Sequence, residues 1–320
     1  MSDRPVVWMP RRLSAATIAR AERDYDLILN EADTPGSAED IIAMSANVDA
    51  MMPCHSEHFS ADVVAKLDPR LKIVANHSVG VDHCDLDALR GRGIVETNTP
   101  DVLSDAPAEI AMLLMLGAAR LAVTGDRLVR TGAWDSWSPS FMVGKQVTGA
   151  QLGIIGMGRV GRAFAEKARG FGMEIHYYNR TPLRPEYEMG ATYHDTVESV
   201  LEVSDFLSLH CPSTPETQDL MNADRFALLP DGAVMVNTAR GALVDEDALI
   251  AAISSGKLAA AGLDCFKVEP GGNPALSTHE NIFMQPHIGR ATRATRHAMG
   301  IPALDNLDAF FAGKTPQDAL

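Results

Sequence analysis

The sequence predicts an α/β protein built from two doubly wound parallel-sheet domains. Three observations point there. At 320 residues the chain exceeds the size of most single hydrophobic cores, so two domains are expected. Short apolar runs alternate with amphipathic segments along the chain, the rhythm of parallel strands crossed over by helices. One such run, Leu152–Ile155, enters the turn Gly156-Met157-Gly158-Arg159-Val160-Gly161, and a helical pattern follows to about Arg169.

In the first hundred residues, Val6–Met9, Leu27–Leu29, Lys72–Asn76 and Ile94–Glu96 read as strands. Ser14–Tyr25 and Ala61–Leu67 read as helices. The long apolar stretch Asp105–Leu121 reads as a helix capped by Ser104 or Asp105. Such a helix would link domains or bury a face in a subunit interface. Thr131–Gly144, with Gly, Pro and two tryptophans, reads as a loop. Six strands are expected beyond it: Leu152–Ile155, Glu174–Tyr178, Phe206–Leu209, Ala233–Asn237, Ala259–Leu263 and Ile282–Met284. Helices are expected at Val160–Arg169, Thr196–Val203, Ala223–Leu228 and Asp245–Ser254. Ala291–Phe311 is a last helix that would return to the first domain.

A strand entering G-x-G-x-x-G and leaving as a helix is the dinucleotide fingerprint of Rossmann-like sheets. Gly156 allows the tight turn, Gly158 leaves room for a pyrophosphate, and Gly161 lets helix and strand pack closely. The helix N-terminus, at Arg159 and Val160, offers free N–H groups and a positive dipole end.

Bulk composition narrows the partners. The chain is 46% hydrophobic and 22% charged, ordinary for a globular protein. Its net charge is −14 and its pI about 5.1, which opposes contact with nucleic acid. An anionic substrate would need locally concentrated positive charge. The four cysteines form no CxxC pair, and no His/Cys spacing suggests zinc, so no metal is expected. The N-terminal MSDRPVVWMPRR lacks a signal-peptide core, and no apolar run is long enough for a membrane span. A cytoplasmic protein with reduced thiols, without membrane contact, is expected.

Ligands of open α/β sheets bind beyond the carboxyl ends of strands, and three chemically able residues stand at such places. Arg240, in Asn237-Thr238-Ala239-Arg240-Gly241, carries a fork that matches a carboxylate. Glu269 stands in Asp264-Cys265-Phe266-Lys267-Val268-Glu269-Pro270. His287, in Gln285-Pro286-His287-Ile288-Gly289, suits acid/base work. Each alone reads as an ordinary surface or loop residue.

Together, and with Ser78-Val79-Gly80-Val81-Asp82 and Asn98-Thr99-Pro100, these stretches resemble the D-isomer-specific 2-hydroxyacid dehydrogenase family along nearly the whole chain. The loop Gly132-Ala133-Trp134-Asp135-Ser136-Trp137-Ser138-Pro139 resembles the glyoxylate/hydroxypyruvate reductase branch. The resemblance implies a substrate domain of residues 1–102 and 291–320, flavodoxin-like, and a dinucleotide-binding domain of residues 103–290. A cofactor and substrate cleft would lie between them. His287 would be the general acid, Glu269 its orienting partner, and Arg240 the carboxylate-binding cation. Val79 and Gly80 would share the carboxylate through their N–H groups. Cys211, Pro212, Thr238, Ala239, Asp264 and Gly289 would contact the cofactor, Asp264 through the nicotinamide carboxamide. Trp137 would reach the neighbouring active site across a homodimer, or else pack in a surface loop or dimer interface.

Two departures from the family pattern stand out. Arg290 occupies a position where the family often has a serine able to cap the next helix. Asn179, eighteen residues after Gly161, stands where NAD-specific members carry aspartate, and Arg180 and Thr181 follow. The expected cofactor is therefore NADP(H) by preference, with NAD(H) possible. The expected reaction is reduction of a small 2-keto acid. A dehydrogenase for a bulkier 2-hydroxy acid and an NAD(H)-sensing protein of the corepressor type are the alternatives.

Overall fold

The computed structural model describes residues 4–100 and 104–320. The chain forms two compact units, Met1–Leu103 with Ala291–Leu320, and Ser104–Arg290. The expected boundary at residues 102/103 lies outside the described residues, as do the first three residues of the N-terminal stretch.

In the first unit, strands β1 (Val6–Met9), β2 (Asp26–Leu29), β3 (Ala50–Met51), β4 (Ile73–Ala75) and β5 (Val95–Thr97) form a parallel sheet in the order β2-β1-β3-β4-β5. Helices α1 (Ala15–Asp24), α2 (Ala38–Ser45), α3 (Ala61–Val64) and α4 (Leu86–Gly91) cross between the strands. Period-two alternation sorts the side chains. Val7, Met9, Ala50, Ile73 and Ala75 face one core, and Trp8, Met51 and Val74 the other. β3, α2 and α4 escape the sequence reading. β3 has two residues, too few to show a period, and α2 is announced only by the capping box of Ser37 and Asp40. The helix read as Ala61–Leu67 stops at Val64.

The last helix, α12 (Arg293–Phe311), buries Ala303, Leu304 and Leu307 against this sheet beside Ala21 of α1. Its N-cap is Thr292, whose hydroxyl accepts from the Thr295 N–H, so Arg290 displaces no cap.

Buried beside β4 and β5, Asn76 donates to Glu96 at 2.6 Å and accepts from His83 at 2.8 Å. The second Glu96 oxygen is buried without a hydrogen-bond partner. Burial pushes the Glu96 carboxyl up to about 7, against the opposing effect of its Cys84 and Asn76 contacts. Between the unfolded-chain value near 4.3 and about 7, the folded state therefore binds more protons than the unfolded chain, and stability falls as pH rises through that window. Glu96→Gln is expected to match wild type near pH 5 and to exceed it by roughly 2–3 kcal/mol, several degrees in Tm, near pH 8. Thermal melts across that range check this; a parallel pair of curves would refute it.

In the second unit, seven parallel strands run in the order β12-β11-β10-β9-β6-β7-β8. They are β6 (Gln151–Ile155), β7 (Glu174–Tyr178), β8 (Thr192–His194), β9 (Phe206–Leu209), β10 (Ala233–Asn237), β11 (Leu258–Leu263) and β12 (Ile282–Met284). The sequence reading expects six strands. The seventh, β8, is a three-residue polar edge held by pairing with β7, where the Tyr177 and Tyr193 rings lie 5.3 Å apart. Leu152, Ile154, Val234 and Val236 face one core, while Ile155, Ala233 and Met235 face the other. Burial on both faces is why these strands read as continuous apolar runs.

Helices α5 (Asp105–Ala119), α6 (Ala122–Thr131) and α7 (Arg159–Arg169) precede or follow β6. The shorter α8 (Pro185–Glu188), α9 (Val197–Leu201), α10 (Ala223–Leu228) and α11 (Glu246–Ser254) complete the crossovers. The apolar α5 belongs to its own unit's core. Ala108, Ala111, Leu114, Met115 and Ala118 are buried, and Gly262 of β11 leaves the space that Leu114 fills. Ser104 stands at its N-cap but makes no side-chain cap bond. Leu121, at φ +54°, ends the run, and α6 departs at 67° with no buried residue.

Candidate active site

In the second sheet the strand order reverses between β6 and β9, and the loops leaving these two strands meet. Gly156 has φ +94°, and a Cβ there would strike the Cys211 backbone nitrogen at 2.4 Å. Only glycine satisfies both demands. At Gly161 a Cβ would meet the Gly156 carbonyl at 2.5 Å, so this glycine seats α7 on the turn. At Gly158 a Cβ would meet nothing within 4 Å. That open space lies at the uncapped N-terminus of α7, whose first N–H groups, at Arg159 and Val160, have no intrahelical acceptor. A pyrophosphate fits this arrangement. The buried Thr238 hydroxyl after β10 also has no partner. Cys211 and Pro212 follow His210, whose imidazole burial drives down to about 4 and so keeps neutral.

Asn179 directly follows β7, with its Oδ1 accepting the Met157 N–H at 2.7 Å. The amide thereby braces the glycine turn and keeps its Nδ2 as a donor. Arg180, Thr181 and Arg184 beyond it are exposed. The Arg162 guanidinium lies 4.6 Å from the Tyr187 ring centre, a further cation near this turn that the sequence reading does not single out.

After β10, buried Asn237 shapes the next loop. Its Oδ1 accepts the Ala239 N–H at 3.0 Å and its Nδ2 donates to the Arg240 carbonyl at 2.8 Å. The Arg240 guanidinium donates to the Ala239 carbonyl at 2.7 Å. A Cβ on Gly241 would fall 1.9 Å from the Phe266 carbonyl carbon, so glycine brings the arginine loop against the loop after β11.

The acid/base pair stands on the loops after β11 and β12. His287 Nδ1 lies 2.6 Å from Glu269 Oε2, and Glu269 Oε1 accepts the Phe266 N–H at 2.8 Å. His287 has φ +53°, an unfavourable region for a residue with a side chain. Asp264 holds it there: its two oxygens accept the Ile288 and Gly289 N–H groups at 2.8 and 2.7 Å. Burial raises the Asp264 carboxyl above its ordinary value, opposed by those two bonds. Because the carboxylate of Glu269 only accepts, Nδ1 carries a hydrogen and Nε2 is the atom left to exchange a proton. Asp264, which the resemblance assigns to the nicotinamide, thus clamps the histidine turn with both oxygens. The motif shows the residue; the clamp follows from strand adjacency alone.

Val79 and Gly80 belong to the other unit. Asn98 Nδ2 donates to the Val79 carbonyl at 2.8 Å, and Ser78 Oγ donates to the Gly80 carbonyl. Among the described residues the Val79 and Gly80 N–H groups carry no hydrogen bond. Trp137 is 74% exposed, so it does not pack into its own loop.

The family profile described as the D-isomer specific 2-hydroxyacid dehydrogenase, NAD binding domain, matches residues 112–289. The chain is 41% identical to a glycerate dehydrogenase of Hyphomicrobium methylovorum, covering 96% of both chains. It is 40% identical to a glyoxylate reductase of Pyrococcus furiosus, covering 98% of this chain and 94% of that one. The chain belongs to the D-isomer-specific 2-hydroxyacid dehydrogenase family. Among solved structures, the dehydrogenase superposes with TM-score 0.87 and 32% identity on an NADPH-dependent glyoxylate/hydroxypyruvate reductase of Sinorhizobium meliloti in complex with NADP and malonate, covering 99% and 97% of the two chains. As a member of this family it is a 2-hydroxyacid dehydrogenase with an NAD-binding domain.

Proposed function

We propose that this dehydrogenase reduces glyoxylate or hydroxypyruvate to the D-2-hydroxy acid, with NADPH preferred over NADH. The observation that carries the reading is the 2.6 Å His287–Glu269 pair on a turn clamped by Asp264, with Arg240 on the adjoining loop. His287 holds a proton at Nε2 for the developing alkoxide, and Glu269 fixes the ring and balances the imidazolium charge. Arg240 binds the substrate carboxylate and polarises the keto group. Val79 and Gly80 offer two N–H donors of the kind a carboxylate accepts. The reduced nicotinamide supplies the hydride. Gly156, Gly158, Arg159, Val160 and Gly161 hold the pyrophosphate, and Cys211, Pro212, Thr238, Ala239 and Gly289 line the rest of the cofactor path. Small substrates are favoured by the names of the similar proteins, a glyoxylate reductase and a glycerate dehydrogenase. A panel of 2-keto acids of increasing size, assayed with NADH and NADPH in parallel, tests both halves. Highest kcat/KM on a bulky 2-keto acid would overturn the substrate assignment.

We also propose a homodimer. The sequence reading gives α5 as one motive, and although most of that helix fills its own core, Leu113 stays exposed. Six further exposed apolar side chains, Val123, Val129, Trp134, Trp137, Phe141 and Val143, lie within α6 and the loop beyond. Such a cluster is more than scattered exposure. Trp137 would then contact the partner copy. A stable dimer needs an interface of about 2,000 Å² or more, and light scattering at micromolar protein should give twice the chain mass. A monomer would refute this.

A further inference from the structure

Sequence spacing shows no metal motif, yet among the described residues the fold assembles one set of ligands. Cys265, Glu269 and His287 each offer a ligand atom, and these atoms all lie within 4.8 Å of one another. Cys265 directly follows the clamp residue Asp264. Its buried thiol donates to the Ala239 carbonyl at 3.4 Å, so it faces the arginine loop side of the pair. The Glu269 and His287 side chains remain 28% and 31% exposed, which leaves a path from solvent. One sulfur, one imidazole nitrogen and one carboxylate oxygen form a donor set suited to a borderline-soft divalent ion.

The geometry is close to what such an ion needs. Tetrahedral zinc bonds of about 2.0–2.3 Å set neighbouring ligand atoms roughly 3.3–3.8 Å apart. The trio must contract by about an ångström at its widest, and the 2.6 Å His287–Glu269 contact must open by a similar amount. Side-chain torsions supply movements of that size. Three protein ligands leave a fourth position for water.

We propose that Cys265, Glu269 and His287 form an inhibitory site for Zn²⁺ and similar thiophilic divalent ions. On binding, the Cys265 S–H bond breaks, a sulfur–metal bond forms, and the proton leaves to solvent. His287 binds through Nδ1, whose hydrogen gives way to the metal, and the neutral imidazole keeps its one hydrogen at Nε2. With Nδ1 metallated the ring can no longer become imidazolium, so it cannot serve as the general acid. No electron is transferred, and a chelator reverses the process. That binding blocks turnover rests on the function proposed above; that the ion binds does not.

Co²⁺ separates the two. Titrating it into the full chain should raise a near-ultraviolet thiolate-to-cobalt charge-transfer band. Cys265→Ala and Cys265→Ser should both lose the band. Cys54→Ala should keep it, although Cys54 also lies near a histidine, His77, at 3.9 Å. Zn²⁺ should erase the band. In assays, each variant referred to its own metal-free rate, Cys265→Ala should need at least about tenfold more Zn²⁺ for half inhibition than wild type. A wild-type protein without the band, or a band that persists in both Cys265 variants, would overturn the site. Equal zinc sensitivity of wild type and Cys265→Ala would overturn the inhibition. A band in a protein that reduces no 2-keto acid would refute the function while leaving the site standing.

Discussion

His287→Ala is expected to lower kcat/KM by about 10²–10⁴-fold, the usual cost of losing a positioned general acid. Nothing else in the 2.6 Å pair can replace it, because Glu269 is held as an acceptor by the Phe266 N–H. The fold should survive. The turn is fixed by backbone bonds from Ile288 and Gly289 to Asp264, which do not involve the imidazole. Since His287 sits at φ +53°, His287→Asn is the better structural control, asparagine tolerating that region well. Arg240→Ala should cause a loss of similar size, and Arg240→Lys should recover only part of it, because an ammonium lacks the bidentate fork. Glu269→Gln should cost less, as it keeps a hydrogen-bond acceptor but removes the charge that balances imidazolium. Steady-state kinetics beside thermal melts decide the matter. Near wild-type turnover in both His287 variants would remove this residue from the mechanism.

The second large effect concerns the cofactor. kcat/KM with NADPH is expected to exceed that with NADH by about tenfold or more, the value of one charge-assisted contact of roughly 1.5–3 kcal/mol. A carboxylate at position 179 would repel a 2′-phosphate, and Asn179 carries no charge. Its Oδ1 is already engaged with the Met157 N–H, so the amide turns a donor, Nδ2, to whatever lies beyond the strand. Arg180 and Arg184 are exposed on the segment that follows. Asn179→Asp combined with Arg180→Ala should reverse the preference. Because the introduced carboxylate can still accept the Met157 N–H, the glycine turn is preserved and the comparison reads charge. Equal use of both cofactors by wild type, or an unchanged order in the double variant, would show that these residues do not read the phosphate.

What was legible in the sequence follows from local physics. Strands buried on both faces of a parallel sheet show as apolar runs, so β1, β6, β9 and β10 could be read with little error. The half-buried β7 and β12 still showed as short runs rich in aromatic and β-branched residues. Gly156 and Gly161 could be assigned because backbone crowding admits no side chain at either place. The chemically able residues could be named because Arg240, Glu269 and His287 each stand just after an apolar run. Short elements were hidden: β3 has two residues and β8 is a polar edge, and both exist only through pairing with a neighbour.

Tertiary structure decided the rest, because it depends on which strands become neighbours. β10, β11 and β12 are adjacent in the sheet but separated in sequence, and their loops converge only once the sheet forms. That adjacency turns Asp264 into the clamp of the histidine turn and sets Gly241 against Phe266. It also brings a cysteine with no motif spacing within ligand distance of Glu269 and His287. It put most of α5 into the core of its own unit through the space left by Gly262, and placed six exposed apolar side chains on α6 and the tryptophan loop. Periodicity reports which face of an element is apolar; only the packed chain shows what covers that face.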